Sequence, residues 1–446
     1  MLVWKKKPIL LYATYPEGHT GGSMRKYYSL IDKVYLESNL AKAYHKVRRN
    51  NGAPGIDGVT VQEYGENLLE RIKKLSEKLR KGEYRPSPVK RVEIPKGNGK
   101  TRMLGIPTVE DRIVQQSLKE IMEPIFEEGF HPSSYGYRKG RNPHQAVEKA
   151  YAFACKYKMK YVVQLDLSQC FDTLDHEKII DAVAERISDG KILRLIRSFL
   201  KSGVITDQYQ PSEMGSPQGG VISPLLANIY LNKFDQKMMA RGIRIVRYAD
   251  DILIFAKSYK SAEKYLKIAI RILEKELKLK VNKEKTRITT IDDGIEFLGF
   301  TIQKGKIRIQ EKKIKRFKAK VKTLTRRNQC TPIGEIIKRL NQLLRGFSNY
   351  YKIIDWVGVF KGLMGWIRRR LRAIILRQWK TTKKLCRVMR QKGYRGEISG
   401  IRMNKWRSSQ SRLVSRLLPN KYFQKIGLYD MKLSHVPLSE NPILNP

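Results

Sequence analysis

Tyr248-Ala249-Asp250-Asp251 sets two adjacent carboxylates between the apolar runs Ile243–Val246 and Ile252–Phe255. The runs read as the arms of a β-hairpin with the acidic pair at its tip. Two carboxylates ~4 Å apart repel by about 1 kcal/mol in water and about 4 kcal/mol at a protein surface. A cation with oxygen ligands removes that repulsion, and Mg²⁺ suits carboxylate donors. An isolated Asp-Asp usually marks a solvated turn. Here another carboxylate, Asp166, stands near the end of the apolar stretch Tyr161–Leu167, which reads as a buried strand. An unpaired carboxylate is costly to bury, so Asp166 is expected to meet a cation or stay near the surface. With the two strands side by side, Asp166, Asp250 and Asp251 converge. That arrangement holds two divalent ions ~3.5–4 Å apart for phosphoryl transfer.

Two loops flank this acidic set in the sequence. Gly215–Pro224 contains Gln218, Gly219 and Gly220 and opens a helix with Ser223 as cap and Pro224 in its first position. Consecutive glycines permit close backbone approach to a ligand, and a helix start favours anions. Phe171 follows Asp166 on the turn leaving its strand. Its ring is placed to lie against a nucleotide sugar and to clash with a 2′-hydroxyl, although taken alone it reads as core.

The elements that must position these residues alternate between both periods. Helices are predicted at about 30–50 and 62–81, stopped by Asn50-Asn51-Gly52 and Gly82. Val89–Ile94 and Thr101–Ile106 form a hairpin around Asn98-Gly99, its tip carrying Lys100 with Arg102 just inside. Thr108 caps a helix at about 109–122, and further helices are predicted at about 175–187, 191–201, 223–240 and 261–277. A second hairpin spans about 296–310, and very basic helices follow at about 311–327, 332–348 and 357–380. Strand, helix, hairpin and helix in that order give an antiparallel sheet backed by helices, an α+β layer fold.

The chain has 446 residues with 90 Lys and Arg against 42 Asp and Glu, a formal net charge of +48. Such a charge calls for a polyanion, nucleic acid first, with affinity that falls steeply with salt. The basic residues run along the whole chain, as a long positive surface requires. No apolar stretch reaches ~18 residues, so no membrane partner is expected. Cys155, Cys170, Cys330 and Cys386 form no CxxC pair, which speaks against a zinc module or a disulfide framework and for reduced thiols in a cytoplasmic protein. Residues 1–23 are turn-rich and read as a flexible or non-native leader rather than a secretory signal. Arg368-Arg369-Arg370 and Arg372 stand with Trp366 and Trp379, a pattern of arginines for phosphates with aromatics in the core or stacked on bases.

Several of these segments share one resemblance. Gln164–Asp175 around Asp166, Gln218–Pro224, Tyr248–Asp251, Lys285-Thr286 and Phe297-Leu298-Gly299-Phe300 resemble the ordered blocks of reverse transcriptases. Asn51–Val59, Lys96–Gln116 and Ser133-Ser134-Tyr135-Gly136-Tyr137-Arg138 are similar to the group II intron-encoded branch. Leu340–Tyr351, which includes Arg345, is similar to its maturase segment. The resemblance spans about residues 30–435.

It implies a right-hand polymerase. An N-terminal extension and fingers would occupy 24–160, a palm 161–310, an α-helical thumb or maturase domain 311–397, and a basic DNA-binding-like tail 398–446. Asp166, Asp250 and Asp251 would take the positions that bind two Mg²⁺ ions, and Lys285 a position near the leaving pyrophosphate. Lys100, Arg102, Phe171, Gln218, Gly219 and Tyr248 would meet the incoming dNTP, with Phe171 discriminating its sugar. Arg345 would join Arg368, Arg369, Arg370 and Arg372 in binding RNA. The implied partners are a group II intron RNA, an RNA template and a DNA primer or target, in the cytoplasm of a bacterium and on its nucleoid. The oligomeric state is open. The tail after Lys380 carries only Cys386 and His435 of the residues an HNH nuclease would need, so a class C-like member without that nuclease is expected. The implied activity is reverse transcription with maturase-assisted splicing and retrohoming. The alternative is a relative domesticated for host defence or DNA repair.

Overall fold

The computed structural model describes residues 26–97, 100–205, 209–210, 214–215, 219–391 and 393–435. The expected leader, the hairpin tip Asn98-Gly99 and Gln218 lie outside the described residues. The strands in chain order begin with β1 (Val89–Gly97), β2 (Lys100–Ile106), β3 (Tyr161–Leu165), β4 (Val204–Ile205) and β5 (Tyr209–Gln210). They continue with β6 (Arg244–Tyr248), β7 (Asp251–Ala256), β8 (Arg287–Thr290), β9 (Ile295–Phe297), β10 (Phe300–Gln303) and β11 (Lys306–Ile309). The fold is α+β, and the chain divides into two compact units. One holds the described residues up to Phe130 with Phe171–Tyr230; the other holds His131–Cys170 and the chain from Leu231 onward.

The first unit carries the β1–β2 hairpin, antiparallel as its Asn-Gly turn predicts, in a four-stranded sheet of order β2-β1-β4-β5. The helix expected over 30–50 is broken. It ends at Tyr35, Leu36 takes an extended ψ of 121°, and a second helix runs Glu37–Asn50. The break frees the Tyr35 carbonyl, which accepts a hydrogen bond from Ser76 Oγ at 2.7 Å. The 62–81 helix likewise splits at Asn67. Asn51 and Gly82 stop their helices in the left-handed conformation, as C-terminal caps do. Thr108 caps Val109–Glu127 by accepting from the Asp111 N–H at 3.1 Å.

The second unit is built on a four-stranded antiparallel sheet of order β6-β7-β3-β8. Its middle strands read as continuous apolar runs because both faces are covered: Val162 and Val163 on β3 and Ile252–Ala256 on β7 are all buried. The hairpin expected at 296–310 has a third strand. Leu298 and Gly299 take left-handed φ of 49° and 85°, folding β10 back on β9 with Phe300 opposite Phe297. Helices Glu311–Leu324, Ile333–Tyr350 and Gly358–Trp379 follow. Phe317, Leu340, Leu344, Leu371 and Ile374 from these helices share one hydrophobic core with Phe300 of the small sheet and with Val414 and Phe423 of the C-terminal segment. Among the described residues no helix is long and apolar enough to cross a membrane.

Candidate active site

β3 and β7 run antiparallel with Leu165 opposite Ile252. Continuing that register by one step sets Asp166 across from Asp251, as the sequence reading requires. β6 and β7 close at the pair Tyr248–Asp251, leaving Ala249 and Asp250 as the two-residue turn. The acidic pair is therefore divided: Asp250 sits in the turn, while Asp251 is the first rung of the ladder. All three carboxylates belong to one end of the sheet. A groove of about 650 Å³ opens there, lined by Asp166, Asp251, Lys285, Arg287, Lys313 and Tyr350 among others.

Asp166 is fixed through its main chain. Its carbonyl accepts from the Asn282 N–H at 2.9 Å, and the Asn282 side chain accepts in turn from the Lys285 N–H at 3.3 Å. The same turn brings Lys285 Nζ to 3.0 Å from Asp166 Oδ2. Asp166 is thus near the surface and paired with a cation, both of the states its sequence allowed. The lysine side chain is 66% exposed, so the pair contributes little to stability and its partner can be exchanged.

Asp251 carries the electrostatic load. Its carboxyl is pushed up to about 6, first by loss of water and then by the negative charges of Asp250 and Asp166; Lys285 and Lys313 offset part of this. Asp251 is exposed along the groove, with protein close on its other sides. Taken alone, this group favours folding more as pH falls from 6 towards 4, because the folded protein holds the proton more tightly than the unfolded chain.

Among the described residues no group of three or more His, Cys, Asp and Glu side chains stands ready-made as a metal cage. The donor chemistry nevertheless suits a hard divalent cation: carboxylate oxygens only, on two adjoining strands, with an ammonium standing in on Asp166. A metal ion bound there would compete with the proton for Asp251. We expect Mn²⁺ affinity, followed by electron paramagnetic resonance, to weaken as pH is lowered from 7 to 5, and this pH dependence to flatten in Asp251→Asn.

The turn itself is braced by groups that sequence reasoning left without a role. Ala249 has a left-handed φ of 56°, a strained conformation for alanine. Gly136 lies directly against it: a Cβ at that position would meet Ala249 N at 2.4 Å. The segment around Gly136 is tied to β6, since Arg247 N donates to Ser133 O and Tyr135 N donates to Arg247 O, each at 2.9 Å. The Arg247 side chain is fully buried and ion-paired with Asp235. The available signals were faint: an arginine inside an apolar strand and an aspartate inside an apolar helix.

At the far rim of the groove, Tyr350 donates from its hydroxyl to Leu298 O at 2.8 Å and stacks on Phe300 with ring centroids 5.6 Å apart. The Phe297–Phe300 turn is thereby fastened to the Ile333–Tyr350 helix.

Residues 94–302 match the family described as reverse transcriptase (RNA-dependent DNA polymerase), and residues 314–393 match the group II intron, maturase-specific domain. Protein YkfC of Escherichia coli (strain K12) is 36% identical over 315 residues, which cover 62% of this chain and 83% of YkfC. The chain belongs to the group II intron-encoded reverse transcriptase family. The group II intron-encoded protein LtrA of Lactococcus lactis subsp. cremoris is 31% identical over 332 residues, covering 58% of this chain and 54% of LtrA. The chain thus spans about half the length of LtrA.

The remaining expected site residues of this reverse transcriptase family member are spread more widely. Lys100 and Arg102 lie in β2, Arg102 opposite Ile94, with their side chains outside the described residues. Phe171 is buried in the short turn Cys170–Asp172. Gly219 permits a close approach, but to this chain: at φ 122° a Cβ there would meet Gly105 O at 2.0 Å. Tyr248 is half-buried, its phenol held above the ordinary range by burial and then by Tyr137.

Arg345 is exposed, its guanidinium 4.8 Å from the centre of the Tyr429 ring. Arg368, Arg369, Arg370 and Arg372 are half-buried, and the last two have packing tasks. Arg370 lies 5.4 Å from the Trp366 ring and 4.8 Å from the Trp406 ring, and donates to Thr325 Oγ1 at 2.6 Å. Arg372 donates to Leu418 O at 2.9 Å over the Phe423 ring. The charge run read from sequence as phosphate contacts thus also ties the Gly358–Trp379 helix to its neighbours.

Proposed function

We propose that the chain is an RNA-directed DNA polymerase that also binds a group II intron RNA as a maturase, promoting its splicing and its retrohoming by target-primed reverse transcription. The observation that carries the reading is the register of β3 against β7, which sets Asp166 across from Asp251 beside the Asp250 turn. Asp166, Asp250 and Asp251 would hold two Mg²⁺ ions. When bound, these supply the positive charge that activates a primer 3′-hydroxyl and stabilises the α-phosphate it attacks. The chain's own groups do the rest. The carboxylates fix where that charge stands. Lys285, released from Asp166, offers an ammonium to the leaving pyrophosphate. Arg287 and Lys313 would offer positive charge to a phosphate backbone along a groove that Glu284 and Glu296 also line.

The partition into fingers, palm, thumb and basic tail belongs to the same proposal, as do the roles of Lys100, Arg102, Gln218, Gly219 and Tyr248. Phe171 takes the sugar-discriminating position by its place in the motif. Phe171→Ala is expected to raise ribonucleotide incorporation relative to deoxynucleotide roughly ten- to a hundredfold, the discrimination one apolar contact supplies. Ratios of kcat/KM for a matched pair of nucleotides check it; an unchanged ratio removes Phe171 from the site.

RNA binding rests on the net charge of +48 and on the maturase-domain match. Arg345, exposed on the Ile333–Tyr350 helix, is more open to a phosphate than the half-buried Arg368, Arg369, Arg370 and Arg372. Intron binding would place the protein in the cytoplasm with its nucleic acids. Primer extension on an RNA template, together with sequencing of RNA that co-purifies with the protein, tests both halves. Mg²⁺-dependent DNA synthesis and recovery of a structured intron are expected. No nucleotide incorporation at all would leave only a basic polyanion binder.

A further inference from the structure

Arg247 is the largest fully buried side chain among the described residues, and its partner Asp235 is equally buried. Its Nε lies 2.9 Å from both Asp235 carboxylate oxygens, and its Nη2 lies 2.5 Å from Oδ2. Nη1 points the other way and donates to the carbonyl of Ala249 at 3.1 Å. A buried ion pair of this kind is costly to desolvate, and an apolar pair of similar volume often serves stability as well or better. Position 247 follows buried Ile245 and Val246 on β6, where an apolar side chain would pack without that cost. What an apolar residue cannot do is hold the Ala249 oxygen.

That oxygen belongs to the planar peptide joining Ala249 to Asp250, so fixing it fixes the plane from which Asp250 departs. Ala249 is also the strained residue of the turn. Strain of this kind persists only where the surroundings over-determine it. Gly136 presses on the turn from one side, and the Ser133 and Tyr135 main-chain bonds lock the Arg247 backbone. The guanidinium completes the clamp from inside.

We propose that Arg247, anchored by Asp235, is a positioning residue that presets the Ala249–Asp250 peptide so that the carboxylates of the turn meet a divalent cation without rearrangement. This rests on the reading of the acidic cluster as a metal-dependent polymerase site. Outer groups that orient metal ligands are commonly worth 10–100-fold in metal affinity or activity.

The test uses the full chain and the double variant Arg247→Met/Asp235→Leu, which removes both charges while keeping the volume filled. Its melting temperature should match or exceed that of the parent. Mn²⁺ affinity, read by electron paramagnetic resonance without nucleotide, should weaken about tenfold or more. In primer extension kcat should fall by a similar factor, with KM for dNTP within about twofold, because the groups that touch nucleotide are untouched.

Arg247→Lys is the second variant. It keeps the charge but loses the planar fork, so it cannot serve Asp235 and Ala249 together, and it should show the same weakening of Mn²⁺ binding. Unchanged Mn²⁺ affinity and kcat per folded molecule, in the double variant or in a folded Arg247→Lys, would overturn the proposal and leave the pair a structural one. Parent protein that binds Mn²⁺ but makes no DNA would instead defeat the polymerase reading, whatever the variants do.

Discussion

Asp250→Ala and Asp251→Ala should each lower primer extension on an RNA template by on the order of a thousandfold, without unfolding the protein. Metal-held positive charge on a phosphoryl group is worth several kcal/mol of barrier, and ~4 kcal/mol corresponds to about three orders of magnitude in rate. The fold should tolerate both changes because the two carboxylates stand at the open end of the sheet, outside its apolar core. The rise of Asp251 to about 6 reflects lost water first and then the neighbouring charges of Asp250 and Asp166. Removing the Asp251 charge should leave the melting temperature unchanged or slightly raised.

The chain supplies its own control. Asp292 and Asp293 are another adjacent acidic pair at a turn, both exposed, and the Asp293 carboxylate accepts from Thr290 Oγ1 at 2.5 Å. That pair is a solvated turn of the ordinary kind. Asp292→Ala and Asp293→Ala should retain near-parental activity. Single-turnover extension with radiolabelled dNTP, run beside a thermal melt, checks both pairs. Comparable synthesis by the parent and both site variants would remove the assignment.

Gly136→Ala should damage activity well beyond what one added methyl group suggests. The added Cβ would stand 2.4 Å from Ala249 N, 3.1 Å from Tyr248 C and 3.2 Å from Ala249 Cα. All three are backbone atoms of the turn, so no side-chain rotation relieves the contact. Either the 131–138 loop lifts away, breaking the Ser133 and Tyr135 bonds to Arg247, or the turn shifts by about an ångström. A misplacement of that size costs about a hundredfold in rate when it moves a catalytic group. We expect kcat to fall by about that factor, with a loss of stability of about 1–3 kcal/mol from overpacking. Urea unfolding and steady-state kinetics separate the two effects. Full activity in a folded Gly136→Ala would show that the turn has slack which its packing does not suggest.

The acidic triad was legible because strand register obeys a period of two. If Tyr161–Leu165 and Asp251–Ala256 are neighbouring strands, the period of two fixes the face each side chain takes; the observed register, Leu165 opposite Ile252, then brings the next residue opposite Asp251. The hairpin arms, the Thr108 cap and the Gly82 helix stop were legible for the same kind of reason: a local conformation demands a residue type. What stayed hidden was long-range. Nothing near Gly136 in sequence says that its missing side chain makes room for the backbone of Ala249. Arg247 read as one more charge in a basic chain because its partner Asp235 sits on another element. The split at Leu36 was missed because the apolar period continues across it; the break is set by Ser76, a distant partner for the freed Tyr35 carbonyl. The arginines around Arg370 were read through their charge, whereas Trp366 and Trp406 give that guanidinium a flat packing surface that only the folded chain assembles.

Anomalous scattering from Mn²⁺ in a crystal of the protein with RNA template, DNA primer and a non-reactive dNTP analogue is the most direct measurement. The expected result is two peaks ~3.5–4 Å apart, with carboxylate oxygens of Asp166, Asp250 and Asp251 within roughly 2–2.3 Å and the Lys285 ammonium displaced from Asp166. Peaks located elsewhere, or an Asp166 still paired only with Lys285 in the complete complex, would contradict the assignment of these carboxylates to divalent-cation chemistry.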